Sequence, residues 1–147
     1  MKLQNSSVNV PVWFWVVAAL GLAWNLFGVV QFVQSVVATE ESLMAMGMTQ
    51  VQAHTMKSYP LWMTVAFAVG TFGGLVGCFL LFLKKKTSSA IFAVSLVGYI
   101  LLYIGDITEG VFEAMGMQQV IILTTVVLVA IGLLLFSKYF KKQGTLN

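Results

Sequence analysis

Asp106, Glu109 and Glu113 follow one another at spacings of three and four residues, which sets them one helical turn apart. On a helix at about 100° per residue they share a face with Ser95, Tyr99, Leu102 and Gly110. Such a ladder could form an acidic vestibule for a cation, a proton or sugar hydroxyls. The plainer expectation is a set of interfacial carboxylates that reach water, because Asp106 stands near the end of an apolar run. His54 and Lys57 are alternative partners for these acids.

A second constellation is soft. Met44, Met46, Met48, Met115 and Met117, with His54, supply thioethers and an imidazole of the kind that suits copper(I). The same methionines also serve as flexible apolar packing. Other chemistries fall away by counting. The single cysteine, Cys78, cannot form a disulfide within the chain, and the single histidine cannot supply bis-histidine haem ligation. No serine–histidine–aspartate set, phosphate loop or cysteine–histidine zinc spacing is visible. An enzyme is not expected, nor is a cofactor.

The elements that must position these residues are membrane spans. The chain is 59% hydrophobic and 9% charged, against about 25% charged in a typical soluble domain. Segments of about 11–37, 60–83, 88–107 and 118–136 are each long and apolar enough for a bilayer core, which needs roughly 20 residues per helix. The first is too long for a signal-peptide core and lacks a small-residue cleavage site, so it reads as a retained span. The expected fold is an all-α integral membrane protein, a single domain over residues 1–147 with the lipid bilayer as its main partner. On the first span, Gly21, Trp24, Asn25, Gly28, Gln31 and Ser35 fall on one side, and lipid cannot satisfy Asn25 or Gln31, so that side should face inward. On the second, Gly70, Gly73, Gly74 and Gly77 form small-residue ridges that let helix backbones approach closely.

Charge gives an orientation. Lys84, Lys85 and Lys86 lie between spans two and three, Lys138, Lys141 and Lys142 follow span four, and Lys2 precedes span one. Lysines gather on the cytoplasmic side, which predicts both termini inside. All five acids fall in the loops on the other side, with Lys57 as their only lysine. The net charge of +3 therefore reads as membrane-edge anchoring, and no nucleic-acid partner is expected.

Residues 39–51 and 108–120 match at eight of thirteen positions, including Ala-Met-Gly-Met in both. Each copy lies where an outward-going span ends. This predicts a duplicated hairpin, with units 11–86 and 88–142 repeated in parallel about an axis along the membrane normal. In the loop over 38–59, Thr39 and Thr49 are helix caps, Thr49 opening a capping box with Gln52, and Pro60 starts span two. Two short helices are expected there. The loop over 108–117 is expected to extend span three and turn once at Gly116.

The runs Trp24-Asn25-Leu26-Phe27-Gly28-Val29, Tyr59-Pro60-Leu61-Trp62 and Phe72-Gly73-Gly74-Leu75-Val76-Gly77-Cys78 resemble a family of small bacterial four-span inner-membrane proteins that often carry the label "sugar transporter". The resemblance implies transport of a small solute across the bacterial inner (plasma) membrane. The chain is also similar in size to small multidrug transporters, but it lacks their carboxylate within span one. Two functions are expected. One is a carrier for a small neutral or cationic solute, with Trp24, Asn25, Gln31 and Tyr99 as contacts and Asp106 and Glu109 at the mouth. The absence of arginine and of lysine within a span disfavours an anion. The other is a non-transporting scaffold or accessory subunit, with a homo-oligomer or a membrane partner protein in either case. An integral-membrane enzyme is a distant third, and extracytoplasmic soft-metal (copper) binding a distant alternative.

Overall fold

The computed structural model describes residues 9–147; the lysine at position 2 lies outside them. The chain runs through α1 (Val12–Val37), α2 (Glu40–Ala45), α3 (Gln50–Lys57), α4 (Leu61–Phe82), α5 (Thr87–Thr108), α6 (Val111–Met115) and α7 (Met117–Lys142), with no strand among the described residues. Helices α1, α4, α5 and α7 are long and apolar enough to cross a membrane. The fold is that of an all-α, multi-pass membrane protein. The expected spans agree to within about a residue except the last, which continues through Lys138 to Lys142. The short helices α2, α3 and α6 gather at one end, here the loop end. The lysine turn and the chain's last residues form the other, the lysine end.

α1 packs on α4, α4 on α5 and α5 on α7. The glycine ridge explains why α4 is central. A Cβ on Gly70 would stand 2.7 Å from the Tyr99 ring, one on Gly77 2.7 Å from the Phe92 ring, and one on Gly98 2.8 Å from the Ala66 carbonyl. Helices this close exchange polar contacts, and Ser95 Oγ donates to the Gly70 carbonyl at 2.6 Å. On the opposite side, Asn25 of α1 fills the niche above Gly74, where a Cβ would fall onto its side chain. Its amide donates to the Gly21 carbonyl at 2.8 Å and to Cys78 Sγ at 3.4 Å, so a polar group inside the bundle is satisfied by the bundle.

At the lysine end, α1 and α7 meet through rings. Phe14, fully buried, contacts Phe136 at 5.6 Å and Phe140 at 4.8 Å between centroids. Trp13 adds contacts to Phe136 and Phe140. The chain then folds back after Gly144. Leu146 enters the same cluster, and the Asn147 backbone exchanges hydrogen bonds with Lys84 and Lys86 at 2.6 and 2.8 Å. This closure was not foreseen from the lysine-rich sequence.

At the loop end, both expected caps form. Thr49 and Gln52 make the reciprocal capping box, and Thr39 makes a second one with Ser42. Lys57 Nζ donates to the Ser35 and Val36 carbonyls at 3.2 and 3.3 Å, placing a cation on the negative end of α1. The expectation for residues 108–117 needs correction. Span three does not extend through them, because Gly110 takes φ 71°, a left-handed conformation that ends the helix after Thr108. Glu113 therefore sits on a separate helix, exposed, and the acidic ladder is broken after Glu109. In both Ala-Met-Gly-Met segments the glycine has positive φ, 102° at Gly47 and 82° at Gly116.

A polar cavity beneath the loop helices

Away from the ring cluster, α1 and α7 are separated by a cavity of about 730 Å³. All four long helices line it, residues of the loop helices stand along its rim, and it opens to the surface beside Phe27, Gln31 and Ile122. α1 supplies Trp24, Phe27, Gly28 and Gln31, α4 supplies Thr64, Phe67 and Thr71, α5 supplies Tyr99 and Leu102, and α7 supplies Gln118, Gln119, Ile122 and Val126. From above, Met46, Met48, Gln52, Met56, Lys57 and Met115 form the rim. The gap exists because α1 turns small or polar residues inward along its second half. Gly28 leaves room between the Thr71 methyl and the Tyr99 hydroxyl, where a Cβ would make only ordinary contacts at 3.5 and 3.8 Å.

Chemically the lining combines ring faces with amides and hydroxyls. Trp24, 37% exposed, and the buried Tyr99 present rings, and four glutamines and two threonines supply donors and acceptors. No carboxylate lines it, and Lys57, its only charged lining residue, is directed to carbonyls of α1.

Of the residues singled out from sequence, Trp24, Gln31 and Tyr99 meet in this cavity. Asn25 does not, since it is locked between Gly21, Gly74 and Cys78. Asp106 differs most from expectation. It does not reach water; it is completely buried, because α5 turns this side toward Tyr59 and the start of α7. Gln119 Nε2 donates to Asp106 Oδ2 at 3.1 Å, while Oδ1 has no hydrogen-bond partner. Tyr59 lies beside the carboxylate, and burial first, then the neighbouring Asp106 charge, pushes its phenol above the usual range. Glu109 is exposed and belongs to a second, smaller cavity of about 180 Å³ with His54, Ser58 and Tyr59.

His54 pairs with Glu40, Nδ1 to Oε1 at 3.0 Å, and with none of the α5 acids. The soft-metal set is likewise scattered. Met46, Met48 and Met115 stand at the large cavity, His54 at the small one, and Met44 and Met117 are exposed outside both. Among the described residues no group of three or more histidine, cysteine or acidic side chains could hold a metal ion.

Sequence reasoning missed Tyr59, Thr64, Thr71, Gln118 and Gln119. A signal was present: Thr64, Phe67 and Thr71 recur at three and four residues along span two, the spacing of one helix face. Gln118 and Gln119 are paired amides at the start of a span. Comparison with protein-family models, with curated proteins and with solved structures finds no match to this chain. What fold and site define together is therefore a class, an all-α multi-pass membrane protein with a largely apolar cavity that carries a few amides and hydroxyls, lined by all four of its long helices.

Proposed function

We propose that the protein is a carrier for a small, neutral, hydrogen-bonding solute of sugar-like kind, and that the large cavity is its binding site. The lining supports this reading. Rings that cover apolar faces, combined with amides and hydroxyls that pair polar edges, suit a polyhydroxylated solute, and a few placed polar groups in a largely apolar pocket are what small-molecule sites use. The absence of a carboxylate from the lining narrows the expectation from neutral or cationic to neutral. The family resemblance in the Trp24, Tyr59 and Phe72 runs points the same way.

The proposed setting is a bacterial inner membrane with both termini in the cytoplasm and the loop end outside, on the segregation of lysines. The paired positive-φ glycines at Gly47 and Gly116 support a duplicated hairpin. Labelling of a cysteine at position 48 in a Cys78→Ser background tests orientation; access from the cytoplasmic side alone would reverse it.

Uptake tests the carrier itself. Purified protein in liposomes should accumulate one or more members of a panel of labelled monosaccharides and polyols. Gly28→Trp should abolish that uptake while the protein stays folded, because the cavity has room for the indole. Uptake unchanged by a filled cavity would remove the site. A scaffold reading is favoured by one observation, the exposed Met44, Met46 and Val51 on the loop helices. A wild-type protein that moves no member of the panel and co-purifies with a membrane partner through those residues would establish it instead.

A further inference from the structure

Asp106 stands between two cavities. Gln119, which bonds its Oδ2, lines the large one. Tyr59, beside the carboxylate, lines both, and Glu109 lines the small one. The carboxyl group is completely buried and Oδ1 is unpartnered.

Among the described residues no cation answers it. The only ion pair among the described residues is His54 with Glu40. The only lysine near this end among the described residues, Lys57, donates to the Ser35 and Val36 carbonyls. The elements packed around Asp106 add nothing. α4 carries only Cys78 as a titratable group, in the lysine-end cluster, and α7 has its lysines and Tyr139 at that same end. α6 has only the exposed Glu113; α5 adds Tyr99, which lines the large cavity, and Tyr103, whose hydroxyl pairs with Thr124 at 3.1 Å, and the exposed Glu109 follows its end. A buried charge without a partner is costly, and an ionisable group within a span is a functional-site hypothesis by default.

We propose that Asp106 is a proton-binding site, loaded from the small cavity through Tyr59 and read out in the large cavity through Gln119. The proton site rests on the two-cavity geometry alone, and its coupling to a solute rests on the carrier reading above. In the transfer, water in the small cavity gives a proton to the Tyr59 oxygen as Tyr59 passes its own to a carboxylate oxygen of Asp106. The phenol ends unchanged, the carboxylate becomes a neutral acid and hydroxide remains with the water. Burial keeps Tyr59 protonated, which makes it a relay and not a store. The ionised carboxylate accepts from Gln119 Nε2. A carboxylic acid has one O–H donor and keeps its other oxygen as an acceptor; when the proton sits on Oδ2, the oxygen that Gln119 addresses, the O–H donates to Gln119 Oε1, reached by a half-turn of the amide. The large cavity then faces the amide N–H₂ where it had faced the carbonyl oxygen. A proton on Oδ2 thereby inverts the hydrogen-bonding character of one wall of the solute site.

Infrared difference spectroscopy of the full-length protein in lipid, between acidic and alkaline pH, reads the carboxyl directly. The wild type should show a protonated-carboxyl stretch that appears on acidification and is absent from Asp106→Asn. Gln119→Leu should move its frequency, and Glu109→Gln should leave it in place. Tyr59→Phe retains the carboxyl and should slow its hydrogen–deuterium exchange roughly tenfold or more. That measurement stands even where Asp106→Asn fails to fold. A spectrum without this band, or one that Asp106→Asn leaves unchanged, overturns the proton site. A band indifferent to Gln119→Leu overturns the readout, and exchange indifferent to Tyr59→Phe overturns the relay. Failed solute uptake with the Asp106 band intact would defeat the carrier reading alone, and normal uptake without the band would defeat the proton site alone.

Discussion

The two ends of this helix bundle are built from the same four helices and solve opposite problems. At the lysine end, Phe14, Phe136 and Phe140 stack with Trp13 between α1 and α7, Leu146 folds in beneath them, and the space is filled. At the loop end the same two helices present Trp24, Gly28 and Gln31 on one side and Gln118 and Gln119 on the other, and a cavity remains. Rings fill volume and need no partners, whereas short or amide side chains leave volume and bring hydrogen-bonding capacity. The difference also places constraint. On the proposed carrier reading, a solute in the cavity would lie between the short helices and the ring cluster, and loading and unloading would require the first to open and the second to part.

The comparison can be broken at either end. The largest effect is expected at the closed end. Phe14→Ala removes a fully buried ring and should cost about 3 kcal/mol, measured as a fall in thermal or denaturant stability in detergent; a loss as small as that of an exposed ring such as Phe79→Ala would mean the cluster is not tightly packed.

Next comes the glycine ridge that holds α1 on α4. Gly74→Leu drives a side chain into Asn25 and should cost about 1–3 kcal/mol or more. Val76→Leu, on the lipid-facing side at 48% exposure, should change stability by only a few tenths of a kcal/mol. Equal melting of the two variants would argue against close contact at Gly74.

The smallest effect belongs to the short loop helices. Thr49→Ala removes the side-chain half of the α3 capping box and should cost about 1 kcal/mol locally. Amide exchange in α3 should speed by about fivefold, with exchange at the lysine end unchanged. A uniform speed-up through the molecule would show that the loop end is not an independent unit.

Sequence patterns alone determined the spans, because a bilayer fixes both the length and the apolar character of a helix that crosses it. They also determined the capping of α2 and α3 and, at Gly21 and Asn25 though not at the exposed Trp24 and Gln31, the inward face of α1, since caps and helix faces depend on neighbours within one or two turns. The sequence could not decide which polar residues on an inward face would be used up by packing. Asn25 and Gln31 share that face, yet Asn25 is consumed by Gly74 and Cys78 while Gln31 reaches the cavity. It could not show that Gly110 takes a left-handed turn and splits the acidic ladder. Nor could it show that Asp106 would be enclosed between Tyr59 and Gln119, residues 47 positions and 13 positions away along the chain. Burial and cavity shape are properties of how separate helices meet. They are set by the fit of rings into glycine niches across helices, and no local pattern along one helix carries that information.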